Sequence, residues 1–592
     1  MANAQLGADW GNGEMVVRGL VRWLALVLLG ATLALCSGCR TGEPLRACQL
    51  YAAPDGAGEA CTRRAPCALA GAQAKARSLI PTMSGDVVVC LRGGNYVLTE
   101  TLTFSEADSG QNGHQVVYGA YRQETPRLSG GQIVDGWELA GAGVYRAQAD
   151  GLVFRQVYVN GERRVRARTP NRESDLDFGP YYRCDWGTDR VTAKGVAGVT
   201  LSEASGAELV IVKHWDQSRL RLATYQAEGD WARLTFMEPE ASIEWSQQFP
   251  PKEPDQSCYL ENAPGFLDAP GEWYLDAGTD ELRYIPLPGE ALDQVEVVVP
   301  VLERLLDVDG AHDLEIRGLV LEYAAWQLPD TARVGGQSGC RPPTWDLFIP
   351  GAVRLANTQH VRLVGNRFEH LGGSGLELAY GTLSTEVIDN TFTDISGNGI
   401  TIYTDVREAR PTESRGSIGD VIRGNRISRV GQEYTGAAGI NATYPSSITI
   451  SDNELWDMPY TGISLGWGWT SEETALRDNV VARNTIHHVM QLHDDGAGIY
   501  TLSKQPDTRL VDNVIRDIKR SDWAGVYPIA GIYLDEQSSG ITLELNVIEN
   551  VPEEYNFHKV GVYTVIGNDV NGERLRCVYD GPDVSCEHLL KE

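Results

Sequence analysis

The sequence predicts an all-β chain wound as a parallel β-helix, and three observations predict it. In the C-terminal half an asparagine recurs in seven short copies, at Asn366, Asn390, Asn425, Asn453, Asn484, Asn513 and Asn546. Each copy sets β-branched strands between turns and contains no helical segment, which is what a solenoid needs to stack rung upon rung. The third observation is composition: 64 glycines in 592 residues, with 8% aromatics, favour a turn-rich, strand-rich fold over disorder or coiled coil. The repeated asparagine reads as architecture, because it tolerates left-handed dihedrals at a turn and can ladder with its equivalents above and below.

In chain order, Arg18 and Arg22 precede the apolar run Trp23 to Leu35, which has a signal peptide's length and is short for a membrane span. Ser37-Gly38-Cys39 closes it like a lipoprotein cleavage site, with Cys36 where an aliphatic residue is usual, and Met15 is an alternative start. Residues 1–39 are therefore expected to be a signal, Cys39 a lipidation site, and the protein exported: an outer-membrane or periplasmic lipoprotein, or secreted. Membrane contact is expected only through that anchor. Of the cysteines beyond Cys39, sequence proximity pairs Cys61 with Cys67, Cys577 with Cys586 and Cys184 with Cys258, although spacing alone leaves connectivity open.

Residues 40–150 read as an N-terminal cap and first rungs. Ala68 to Ile80 is an amphipathic helix suited to covering the open end, and Asp86 to Leu98 supplies first strands. Residues 151–300 break the rhythm: Asn160-Gly161 is a hairpin signal, and AELVIVKHW, RLRLATY and GEWYLD alternate like antiparallel strands. This is an inserted β-rich subdomain. Rungs resume near Val301, so that 301–592 forms the main β-helix and its groove.

Aligning Gly375, Gly399, Gly439, Gly462, Gly498, Gly531 and Gly561 places an aliphatic residue next in every copy, facing inward. The residue after it faces out, giving a column of Glu377, Thr401, Asn441, Ser464, Tyr500, Tyr533 and Tyr563, about 4.8 Å apart. Tyrosine faces, with Trp467 and Trp469 in GWGW, suit sugar rings; an aromatic ladder that only stabilises the stack is the alternative. Cleaving a glycoside takes two carboxyls, one to protonate the leaving oxygen and one to activate water or attack carbon. Asp495 and Asp535 are the candidates, with Asp494, Glu536 and Glu377 in reserve. On a straight strand the first two would stand about 23 Å apart at roughly 3.3 Å per residue, so a bend at Gly496-Ala497-Gly498 is required. Arg164, Arg166 and Arg168 alternate on one face of the insertion and can reach a carboxylate or simply be paired.

The balance of 80 acidic against 51 basic residues, a net charge of −29, repels nucleic-acid phosphates and anionic lipid, and argues weakly against a uronate polymer. No cofactor or metal is expected: beyond the signal segment there is no CxxC, the chain has no HExxH, and His487, His488 and His493 beside Asp494 lack a ligand spacing.

YAAPDGAGE at 51–59, FRQVYVNGERRVRARTPN at 154–171, GEWYLD at 271–276, YTGISLGWGW at 460–469, DGAGIYTLSKQP at 495–506 and GIYLDEQSS at 531–539 together resemble the right-handed parallel β-helix carbohydrate-active proteins, most of all glycoside hydrolase family 141. That resemblance implies a glycosidase acting on a polysaccharide or oligosaccharide of fucoside or xylan type. It also implies an aspartate pair that falls on Asp495 and Asp535, with Glu536 and His558 tuning them. Asp494, Ala497 and the segment after Asn556, which keeps only His558, depart from the family pattern. Two rival readings remain. A polysaccharide lyase on the same fold wants a calcium site and a basic residue in the groove, and a glycan-binding surface protein uses the aromatic ladder alone.

Overall fold

The computed structural model describes residues 47–592 apart from 173–177, 197, 200, 202–205, 342–346, 404–415, 572, 581–582 and 589–592. The signal segment with Cys39, and the side chains of Cys577 and Cys586, lie outside the described residues. From Leu306 onward the chain winds through three parallel ladders. One runs through Leu314–Arg317, Arg362–Val364, Glu386–Ile388, Val421–Arg423, Thr449–Ser451 and Val480–Ala482 to Lys504–Val511 and Ser539–Glu544. A second runs from Val320–Glu322 through Arg367–Leu371 and its successors to Val547–Glu549. The third is a ten-stranded sheet from Leu102–Phe104 to Glu553–Phe557.

Between the ladders the inward positions stack by residue type. Leu363, Val387, Ile422 and Ile450 form one wholly buried file, and Leu376, Ile400, Ile440, Ile463 and Ile499 another. Phe368 and Phe392 stack at 4.4 Å between centroids. The glycine before each inward aliphatic exists for close approach: a Cβ on Gly498 would meet Ile515 Cγ2 at 2.6 Å and the Gly531 carbonyl at 2.9 Å.

The asparagines form the expected ladder. Asn453 Nδ2 donates to the Ile422 carbonyl at 3.0 Å and to Asn484 Oδ1 at 2.9 Å, while its own Oδ1 accepts from the backbone N and Nδ2 of Asn425 at 2.8 and 2.9 Å. The series runs one rung beyond the seven copies, to Asn568, whose Oδ1 accepts from the Asn546 backbone at 2.7 Å. Asn453→Ala would take the side-chain acceptor from the Asn425 backbone N–H and remove one partner each from Asn425 Nδ2, the Ile422 carbonyl and Asn484 Oδ1, all in a dry interior. It is expected to cost about 3 kcal/mol or more, read as a lowered denaturation midpoint, whereas an exposed asparagine outside the ladder should tolerate the same change.

At the N-terminal end the helix Leu69–Leu79 buries Leu69, Ala72, Gln73 and Ala76 against the first rungs, within one residue of the expected span at each end. At the other end Tyr563–Val570 pairs antiparallel with Glu573–Asp580, and that strand with Asp583–His588, so the edge is covered by a hairpin. The disulfides Cys61–Cys67 and Cys184–Cys258 are present. Cys48–Cys90 joins residues 42 apart, invisible to sequence proximity because parallel pairing of Leu50 with Val89 brings the two together.

Residues 131–300 build sheets of four, five and seven strands outside the helix. Strands Gly131–Ile133, Glu138–Gly141 and Val144–Gln148 belong to these sheets, so the insertion starts nearer 131 than 151. The Asn160-Gly161 turn is left-handed at both positions, φ 51° and 79°, and joins Tyr158–Val159 to Glu162–Arg163 as an antiparallel hairpin. Arg164 pairs with Glu290, Arg166 with Glu208 and Glu261, and Arg168 donates to the carbonyls of Pro170 and Pro180.

Candidate active site

On the outer face of the ten-stranded sheet, strand register lines up Glu377, Thr401, Asn441, Ser464, Tyr500 and Tyr533 side by side. Asn556, not Tyr563, takes the seventh place. Tyr563 pairs with Ile541 in another ladder, because the last rung reaches the groove through EYNF rather than through Gly561. Two of the tyrosines carry the site. The Tyr533 hydroxyl donates to Asp495 Oδ1 at 3.2 Å, the Tyr500 hydroxyl donates to Asp535 Oδ2, and their rings meet edge to face at 5.2 Å.

Both rings are buried, so Tyr500 and Tyr533 offer hydroxyls rather than open faces for sugar stacking. Burial pushes both phenols above the usual tyrosine range, and the nearby aspartates push the same way. Both therefore keep their protons and donate.

The expected bend at Gly496-Ala497-Gly498 is absent: Gly496–Thr501 is one continuous strand. The turn lies one residue earlier, at Asp495 itself, in left-handed conformation at φ 54°. Tyr533 then reaches back to Asp495 while Tyr500 reaches forward to Asp535, and the tyrosine lengths span what strand rise alone would leave open. The two carboxyls sense one another. Burial first, and then the charge of Asp535, raise Asp495 from 3.8 to about 7, against the hydrogen bond from Tyr533. Asp535, 6% exposed, has its second oxygen 2.8 Å from His558 Nδ1.

The reserve acids are otherwise engaged. Asp494 accepts from the Tyr527 backbone at 2.7 Å and bonds His214 Nδ1 at 2.8 Å; His214, stacked on Tyr527 at 3.9 Å, stands 3.3 Å from Glu253. Burial lowers the His214 imidazole, but the hydrogen bond and charge of Asp494, with the charges of Glu253 and Asp495, together outweigh it and the net shift is upward. Asp494 thus clamps the insertion beside the site. Glu536 pairs with Lys559. Glu377 pairs with Arg304 at 3.5 Å, four rungs from Tyr500 or about 19 Å, away from the aspartates.

Trp467 is core rather than a sugar platform. It is 3% exposed and packs on Phe348 at 5.6 Å, because left-handed Gly466 and Gly468 turn it inward, whereas Trp469 is 45% exposed. The histidines scatter: His487 and His488 bond each other, while His493 bonds the Lys213 carbonyl and Thr435. Burial drives His493 down to about 4.

Sequence reading missed Tyr460, which donates to the Asp495 carbonyl at 2.8 Å and accepts from Gln337 at 3.1 Å. It also missed His214, 280 residues from its partner, for which no local pattern exists. Tyr460 opens the YTGIS segment and was within reach. Both polar atoms of the Asn441 amide and the hydroxyl of Ser464 are buried without a partner among the described residues, two rungs and one rung from Tyr500 respectively. Such groups cost free energy unless a ligand or water meets them.

The profile described as "GH141 insertion domain" matches residues 139–287, and "Right handed beta helix region" matches 411–548. A solved structure described as "Glycoside hydrolase" is 28% identical with a TM-score of 0.78, over 89% of this chain and 96% of its own. XylC in complex with xylose (10% identity, TM-score 0.47, 91% and 89% coverage) and pectate lyase Pel9A (8%, 0.32, 86% and 77%) are more distant and carry no argument. No curated protein matches. The fold and a match over 89% of the chain define the class, a glycoside hydrolase on a right-handed parallel β-helix. Within that class the chain is similar to glycoside hydrolase family 141, whose insertion domain it carries.

Proposed function

We propose that the protein hydrolyses a glycosidic bond of a complex polysaccharide, of fucoside or xylan type, with Asp495 as proton donor and Asp535 as base or nucleophile. The observation that carries this reading is the environment of the pair. Burial beside a second carboxyl holds a proton on Asp495 up to about pH 7, while Asp535 accepts from Tyr500 and stands against His558. Two like groups in environments that separate their roles are what acid-base cleavage of a glycoside needs.

In the cleavage step Asp495 gives its proton to the leaving glycosidic oxygen. Asp535 takes a proton from the attacking water, or itself attacks the anomeric carbon. Tyr533 and Tyr460 orient Asp495 through its side chain and its carbonyl. The unpartnered Asn441 amide and Ser464 hydroxyl supply donors and acceptors for sugar hydroxyls, and Trp469 offers the exposed ring face. The same proposal places the protein outside the cytoplasm, anchored by lipid at Cys39.

The experiment is release of reducing sugar from a panel of fucosylated glycans, xylans and pectins, with ultraviolet absorbance of unsaturated uronates read in parallel. Reducing ends without absorbance are expected. Absorbance would make the protein a lyase, and silence on every polymer would leave a glycan-binding protein.

A further inference from the structure

Where the insertion meets the Arg426–Val430 rung there is a cavity of about 650 Å³ including its open mouth, and eight of its thirteen lining residues are arginines. In a chain of net charge −29 such a concentration calls for a counter-charge. The cluster is partly balanced from within: Arg155 is bidentate to Glu208, Arg163 pairs with Asp394 and Glu433, Arg164 with Glu290, and Arg219 with Glu261. Arg172 aside, those five carboxylates leave the other seven guanidiniums in excess by two among the described residues.

The excess is visible in individual groups. Arg168 donates to two backbone carbonyls and lies 3.7 Å over the Tyr259 ring. Arg429, half-exposed at the mouth, has no ion-pair partner among the described residues. The Nε groups of Arg155, Arg166 and Arg219 are buried without an acceptor, and Arg155 and Arg219 are 7% and 5% exposed. Burial, and then the charge of Arg155, push Arg166 below the ordinary guanidinium range.

We infer that this cavity is an oxyanion-binding site whose ligand is the carboxylate of a uronic-acid residue on a glycan. Planar guanidinium forks match a carboxylate. Gln432 and Tyr259 line the wall beside the arginines, for sugar hydroxyls and a ring face. A second anchor of this kind selects acidic glycans despite the unfavourable net charge of the chain, since a local cluster outweighs distant charges screened beyond about 8 Å at physiological salt.

Binding is measured directly, so the result does not depend on turnover or on Asp495 and Asp535. The full-length protein is titrated calorimetrically at pH 7 and low ionic strength with galacturonate, glucuronate, sulfate, and the neutral sugars galactose and glucose. Uronate binding is expected, with none by the neutral sugars, and affinity at least about tenfold weaker in Arg429→Gln and Arg168→Gln. Melting curves of both variants establish that they fold. If sulfate binds as tightly as uronate, the oxyanion site stands but its ligand is a free inorganic anion, and the glycan part of the inference fails. If no anion binds, or binding is unchanged in both variants, the inference is overturned and the arginines are solely a clamp between insertion and helix.

Discussion

Asp495→Asn and Asp535→Asn are each expected to lower kcat by about a hundredfold to ten-thousandfold, with substrate binding retained. Asparagine keeps the volume and an acceptor oxygen for the donating tyrosine at each position. In the first variant the leaving oxygen loses its proton donor; in the second, the water or anomeric carbon loses its base or nucleophile. Because both aspartates serve one transition state, the double variant should be little worse than either single one. If either variant fails to fold, the aspartate concerned is a structural member of the groove instead.

Asp495→Asn is also expected to be more stable than the parent at pH 8 and no more stable at pH 4. The folded protein raises Asp495 from 3.8 to about 7, so between those values the native state binds a proton that the unfolded chain has released. Stability therefore falls as pH rises through this window, by about 2 to 4 kcal/mol in total, and stays low above it. Asparagine carries no charge to bury and escapes the penalty. Denaturant titration of both proteins at pH 4, 6 and 8 checks this as a difference between them, which cancels the other titrating groups; equal differences at all three would mean Asp495 titrates as an ordinary carboxylate. The same proton gives activity an alkaline limb near pH 7, since the acid must be protonated to act.

Much of the fold was legible because a solenoid writes its periodicity locally. The recurring asparagine marks a buried ladder, and the recurring glycine marks a position where a Cβ would strike the next rung. That alignment gave six of seven members of the groove column and failed at Tyr563, where the last rung substitutes EYNF for the glycine pattern. What the sequence could not convey were orientations set by contacts distant in the chain. Whether Trp467 faces solvent or core depends on Phe348 and on two left-handed glycines. The approach of Asp495 to Asp535 depends on a left-handed aspartate and on the reach of two tyrosines, neither implied by strand spacing. His214 arrives from the insertion to fix Asp494, and the cation excess of the arginine cavity appears only once carboxylates from five separate segments are in place.

The central claim is that Asp495 and Asp535 perform the cleavage, and the most direct test compares turnover and binding of one oligosaccharide by the parent protein, Asp495→Asn and Asp535→Asn. The account predicts reducing ends from the parent, loss of at least about a hundredfold in each variant, and dissociation constants within a few-fold of one another. Turnover undiminished in either variant would contradict it.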